Sequence, residues 1–278
     1  MDIYFGGDIM NLIVLLPILA ALLGVFGGVF RGLSLLNGYE PQTHLPIAGD
    51  NFQLMLIILS VVSVIIFVIL CARFKFDAEP QFEKAFISDS AGYKTLCVLS
   101  ALITILCGAG GFYFALTNSD KSFYSHITEF PLWILAVLTG VAIIGLIRAK
   151  ENINESSAYF TLIPMFWAAF DLIVIFKNNS SSPFVGYYSF ELIPSVFLTL
   201  AFYAFASFLY SKPKPRFMLF ASSLAIIFSL VCVIGTVMTH ILNPTLWAFN
   251  MQTLMRTGCL LGTALYLFAL DLNLCKSI

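Results

Sequence analysis

FQLMLIILSVVSVIIFVILCA, residues 52–72, contains no charged side chain, and Gln53, Ser60 and Ser63 are its main polar interruptions. A helix rises 1.5 Å per residue. The hydrocarbon core of a bilayer is about 30 Å thick, so about 20 such residues cross it. The segment reads as a transmembrane helix. Seven further stretches meet the same test, at 9–30, 95–117, 130–148, 157–177, 187–210, 217–241 and 247–270. Composition agrees: 60% of the chain is hydrophobic and 10% charged, whereas a soluble domain carries about 25% charged residues. The longest connections, near 31–51 and 73–94, are too short for a soluble domain, which needs about 50 residues. The expectation is all-α: a polytopic transmembrane helix bundle of about eight spans, with residues 1–278 forming one integral membrane domain and the lipid bilayer as its solvent.

Lys and Arg set the orientation, because short loops rich in them stay cytoplasmic. One side collects Arg73, Lys75, Lys84, Lys94, Arg148, Lys150, Lys212, Lys214, Arg216 and Lys276. The other has Arg31, Lys121 and Lys177, and Arg256 falls inside a span. Both termini are therefore expected on the cytoplasmic side. The N-terminal segment alone argues the reverse, since Asp2 and Asp8 precede the first span and Arg31 follows it. Turning the first helix over would also expel the basic 73–94 loop, and Asp8 can serve as an N-terminal partner of the helix dipole. The basic n-region of a cleaved signal peptide is missing, so insertion by an uncleaved first helix is expected. Trp133, Trp247, Tyr187 and Tyr188 fall at outer span ends, where an interfacial aromatic belt is expected.

The 73–94 segment alternates charges with Phe74, Phe76, Phe82 and Phe86. Pro80 can open a short helix, in which Phe82, Ala85 and Phe86 share a face; this reads as an interfacial helix or as a solvated loop with its aromatics in the headgroups. Cys71, Cys97, Cys107, Cys232, Cys259 and Cys275 lie in or beside spans, and neither a CxxC pair nor metal-ligand spacing among His44, His126 and His240 is present. No metal, cofactor or nucleic-acid partner is expected.

Helices in lipid associate by close packing, so small residues spaced by four mark contact faces. Ala20, Gly24, Gly28 and Gly32 form such a line in the first span, and Gly258 and Gly262 repeat it in the last. The first line can meet another helix of the chain, a membrane-protein partner or a second copy in a homo-oligomer. Pro17, Pro164 and Pro194 lie inside spans, each removing a backbone hydrogen bond.

Ionisable side chains deep in a bilayer cost about 2.5 to 3.5 kcal/mol on insertion scales, so they turn inward and find partners. Asp171 lies about 9 Å inside the end marked by Lys177, Arg256 about 13 Å below Trp247, and Glu191 about one turn below Tyr187. At 100° per residue, Gln252, Thr253 and Thr263 fall within about 60° of Arg256, with Gly258 and Gly262 on the far side. Trp167 shares the Asp171 side of its helix. These residues outline a polar pocket open to the outside, walled by the fifth, sixth and eighth spans. A structural Asp171–Arg256 ion pair leads over a solute site with Arg256 as anion partner and Trp167 as wall, because opposite charges at similar depth neutralise one another.

Ile163-Pro164-Met165-Phe166-Trp167, followed by Tyr210-Ser211-Lys212-Pro213-Lys214-Pro215-Arg216, resembles uncharacterised multi-span membrane proteins of anaerobic Gram-positive bacteria over 158–235, under a third of the chain. The resemblance implies a bacterial plasma membrane and no known activity. The functional expectation is a small-solute permease or transport-associated membrane protein, with a non-transporting subunit, sensor or scaffold of a larger complex as the alternative. An intramembrane enzyme is the weakest class, since neither HExxH nor GxSxG occurs. Without a phosphate-binding glycine loop, active transport needs a partner ATPase or an ion gradient.

Overall fold

Apolar side chains in lipid leave the backbone to satisfy its own hydrogen bonds, which a helix does within one segment. The computed structural model describes residues 6–40, 43, 45–73, 82–86, 88–117, 123–148, 155–180, 184–210, 212–243 and 251–276. Within these the chain forms α1 (Gly6–Asn37), α2 (Asn51–Arg73), α3 (Phe82–Phe86), α4 (Ala91–Thr117), α5 (Phe123–Arg148), α6 (Glu155–Asn178), α7 (Val185–Ser207), α8 (Pro215–Leu242) and α9 (Met251–Lys276). All but α3 are long and apolar enough to cross a membrane, so the eight expected spans are present. Asp2, His44, Phe74, Lys75, Phe76, Pro80, Lys121, Lys150 and Trp247 lie outside the described residues.

α8 and α9 form the centre, buried over 78% and 67% of their membrane-length windows against 22% for α2. α8 packs on α1, α7, α9 and α2; α9 packs on α4 and α8; α4 to α8 follow one another around α9. The glycine stripe of α1 meets α8 of the same chain. A Cβ at Gly24 would come within 2.8 Å of Leu230 Cβ, one at Gly28 within 2.6 Å of Ile234 Cβ, and one at Gly32 within 2.6 Å of Met238 Sδ. Contacts that advance together along both helices make α1 and α8 parallel. Gly258 and Gly262 face Cys107 and Thr104 of α4 in reversed order, so α9 and α4 are antiparallel. Ser100 Oγ ties that seam by donating to the Gly262 carbonyl at 2.7 Å.

The two ends of the bundle differ. At one, the segment after α1 folds back on itself: Ile47 N donates to the Gly38 carbonyl at 2.8 Å and Glu40 N to that of Leu45 at 2.9 Å, with Gly49 turning at φ 95°. Asp50 then caps α2, accepting from Phe52 N at 3.0 Å and Gln53 N at 3.2 Å. We call this the hairpin end. At the other end, the aromatic face of α3 is turned to protein: Phe82, Ala85 and Phe86 are buried. Phe86 meets Phe205 and Phe208 with ring centroids 4.9 and 5.0 Å apart, and Asn273 of α9 donates to the Ala85 carbonyl at 2.8 Å. The shared face expected from sequence exists, and the end of α7 covers it in place of headgroups.

Three other expectations need correction. Trp133 does not sit in a belt; it is 3% exposed and lies over Gly111 of α4. α1 continues past residue 30 to Asn37, so Arg31 is a buried helix residue and not part of a loop. α9 continues past residue 270 to Lys276 and carries Asp271 into the core. In each case a charge or ring that composition assigns to a water interface is covered by a neighbouring helix.

Candidate functional site

Towards the hairpin end, α9 turns its polar stripe to α5, α6 and α7 while its glycines seal against α4. Arg256 reaches two helices from there. Its Nε lies 3.2 Å from Asp171 Oδ1 on α6, and its Nη1 donates to Glu191 Oε2 on α7 at 3.0 Å. Asp171 is wholly buried, and its second oxygen accepts from Ser195 Oγ at 2.6 Å. Ser195 stands one turn beyond Glu191 on the same helix, so α7 supplies both the competing carboxylate and the hydroxyl that holds Asp171. Glu191 is the accessible member, with a side chain 29% exposed against 14% for Arg256.

One turn nearer the end, Gln252 Nε2 donates to Glu129 Oε2 of α5 at 2.9 Å. Glu129 is 4% exposed. It was not expected inside the bundle, because α5 begins at Phe123, ahead of the sequence-derived boundary. Trp167 lies one turn before Asp171 on α6; it is 1% exposed, and among the described residues its indole N–H has no hydrogen-bond partner. Thr253 accepts the Thr257 hydroxyl at its carbonyl.

Thr253, Thr257, Arg256 and Leu260 of α9, Glu191 of α7, and Cys232 and Thr236 of α8 line a cleft of about 180 Å³. It has no room for a water-sized sphere. The walls expected from sequence were the fifth, sixth and eighth spans, here α6, α7 and α9. α8 replaces α6 as the wall, and Asp171 and Trp167 lie behind the cleft, not on it. The arrangement holds charge tightly in this closed form, with one guanidinium shared by two carboxylates.

Sequence reasoning passed over two further buried charges. Arg31 of α1 is 3% exposed, with Nη2 donating to the Tyr187 carbonyl and Nη1 without a hydrogen-bond partner among the described residues. Its guanidinium lies 6.0 Å from the Tyr39 ring centroid and 5.3 Å from that of Phe190. Burial pushes the Tyr39 phenol above its usual range, and the Arg31 charge offsets part of that. The signal for Arg31 was present: seven residues after Gly24 it returns to within about 20° of the glycine face. Asp271 of α9 is fully buried, and Ser222 Oγ of α8 lies 2.7 Å from each of its oxygens. It stands about 60° from Arg256 around the helix, at the edge of the same polar stripe.

Among the described residues no group of three His, Cys, Asp or Glu side chains is placed to hold a metal ion. No protein-family model, curated protein or solved structure matches this chain. Fold and site together define a class, the multi-span integral membrane protein: eight membrane-length apolar helices with ionisable residues turned inward.

Proposed function

We propose that the chain is a small-solute permease or transport-associated membrane protein of a bacterial plasma membrane, with both termini cytoplasmic and the hairpin end outside. The observation that carries this reading is the meeting of Asp171, Glu191 and Arg256 from three separate helices in the half of the bundle nearest the hairpin. A register-setting pair needs one carboxylate. The second, Glu191, is the partly exposed one and lies on the cleft. In this reading Asp171 and Ser195 hold Arg256 in place, and Glu191 is the arm that gives way to a charged or polar group of the solute. The cleft then has to widen by separation of α9 from α7 and α8. The basic residues support the orientation: Arg73, Lys84, Lys94, Arg148, Lys212, Lys214, Arg216 and Lys276 gather at the α3 end, with Lys177 at the other.

The closed cleft favours a second reading, a non-transporting subunit, sensor or scaffold, in which the triad only fixes helix register. The two separate on the protein reconstituted in nanodiscs and proteoliposomes. A permease is stabilised by particular solutes, passes them across vesicles, and loses both properties in Glu191→Gln while remaining folded. A protein that responds to no solute, shows no flux and retains a stoichiometric membrane partner through mild extraction is the subunit.

A further inference from the structure

We propose that Arg31 anchors an anion site at the hairpin end, where a phosphate group binds beneath the Tyr39 loop. Arg31 is 3% exposed, and among the described residues no carboxylate lies within ion-pair distance of it. The acids acting on its tyrosine neighbours are engaged elsewhere: Glu191 with Arg256, and Asp50 with Ser34 and the start of α2. A buried guanidinium with no carboxylate in contact is costly, and the Tyr187 carbonyl, the Tyr39 hydroxyl and the faces of Tyr39 and Phe190 offset part of that cost. The nearby triad carries two carboxylates to one guanidinium, so the chain balances Arg31 at a distance but gives it no contact counter-ion, and a phosphate supplies that contact. Arg31 lies six residues before the end of α1 at Asn37, about 9 Å along the axis, near the level where headgroup phosphates meet hydrocarbon. Its unpartnered Nη1 is a donor of the kind that pairs with phosphate oxygen.

The cover is the Tyr39 ring, 1% exposed, whose hydroxyl donates to the Gly186 carbonyl at 3.3 Å and interacts with Arg31 and Gln53, and which packs on Phe184 and Tyr187. Nη1 is buried, so a phosphate reaches it only when that ring moves aside, while the Arg31 stem stays packed on Gly235 of α8. The phosphate can belong to a lipid headgroup or to a free anion, and the site does not depend on transport.

The test uses the full chain in a sugar-headgroup detergent free of phosphate, with melting followed by tryptophan fluorescence. Inorganic phosphate and phosphatidylglycerol are titrated separately, against chloride at equal ionic strength and a glucosyl diacylglycerol with the same tails. A saturable rise of several degrees with either phosphate probe is expected, lost in Arg31→Gln and partly kept in Arg31→Lys. Stabilisation by phosphatidylglycerol alone identifies the headgroup as the source, and by inorganic phosphate alone the free anion. No rise above the controls, or an unchanged response in Arg31→Gln, overturns the proposal. Should Arg31→Gln not fold, native mass spectrometry of the wild-type chain decides: a retained phospholipid or phosphate adduct supports the site, and a bare chain after exposure to both probes refutes it.

Discussion

Arg256 is shared between two carboxylates that differ in what they lose without it. Asp171 is fully buried and would keep only Ser195, whereas Glu191 is partly exposed and can turn towards water. Stranding one member of a buried pair costs about 3 to 5 kcal/mol, while removing both can be close to neutral. Arg256→Gln and Asp171→Asn should therefore each lower the melting temperature, and the double variant should recover much of the loss. Additive losses in that cycle would mean the two charges are not coupled. Ser222→Ala should also be costly, by about 1 to 3 kcal/mol, because it removes the hydroxyl beside Asp271. Urea unfolding in detergent, wild type against variant, measures it; an unchanged midpoint would show that the carboxyl is served by another group. Asp171 and Arg256 were legible because a charge inside an apolar run has few places to go. Glu129, Arg31 and Asp271 were misread or missed for one reason: each stands near a span end, where sequence cannot distinguish a side chain facing water from one covered by a neighbouring helix.

Gly28 sits where the side chains of α8 leave no room, since a Cβ there would meet Ile234 Cβ at 2.6 Å and the Leu230 carbonyl at 3.1 Å. Backbone cannot shift there without parting the two helices. Gly28→Leu should cost at least the roughly 1 to 3 kcal/mol of an overpacked core. Val25→Leu, on a position 44% exposed, should stay within about 0.5 kcal/mol. Equal melting temperatures for the two variants would contradict the close α1–α8 seam. At the opposite end, Phe86→Ala removes a ring packed on Phe205 and Phe208. The expected loss is about 3 to 5 kcal/mol, with faster proteolysis around residue 82 as its local signature. Sequence showed which face of α1 is small and which face of α3 is aromatic, because both follow from helical periodicity. It could not show the occupant of either face. Gly28 meets a helix more than 180 residues later in the chain, and periodicity carries no information about such distant partners.

With α8 and α9 as the buried centre and eight traversals, the chain enters and leaves the bundle at the α3 end, whichever way the molecule lies in the bilayer. Orientation is therefore a single choice for the whole molecule, and charge supplies it. If the α3 end faced outwards, Arg73, Lys94, Arg148, Lys212, Lys214, Arg216 and Lys276 would all have crossed the membrane, against the tendency of short basic loops to remain cytoplasmic. The hairpin end exposes Lys177, while Arg31 and Arg256 are held within the helices and say nothing about which loops crossed. We therefore expect Lys177→Cys to react with a membrane-impermeant maleimide in intact cells and Lys214→Cys only after permeabilisation. Both positions are solvent-exposed, so accessibility reports the side of the membrane and not burial. The native cysteines contribute little background, because five are buried and Cys107 is intermediate. Labelling of Lys214→Cys in intact cells with Lys177→Cys protected would turn the molecule over, placing the Asp171–Arg256–Glu191 triad and the Arg31 site in the cytoplasmic half. Labelling of both positions in intact cells would rule out an odd number of crossings between residues 177 and 214. α7 alone lies between them, so that result would remove it from the set of spans.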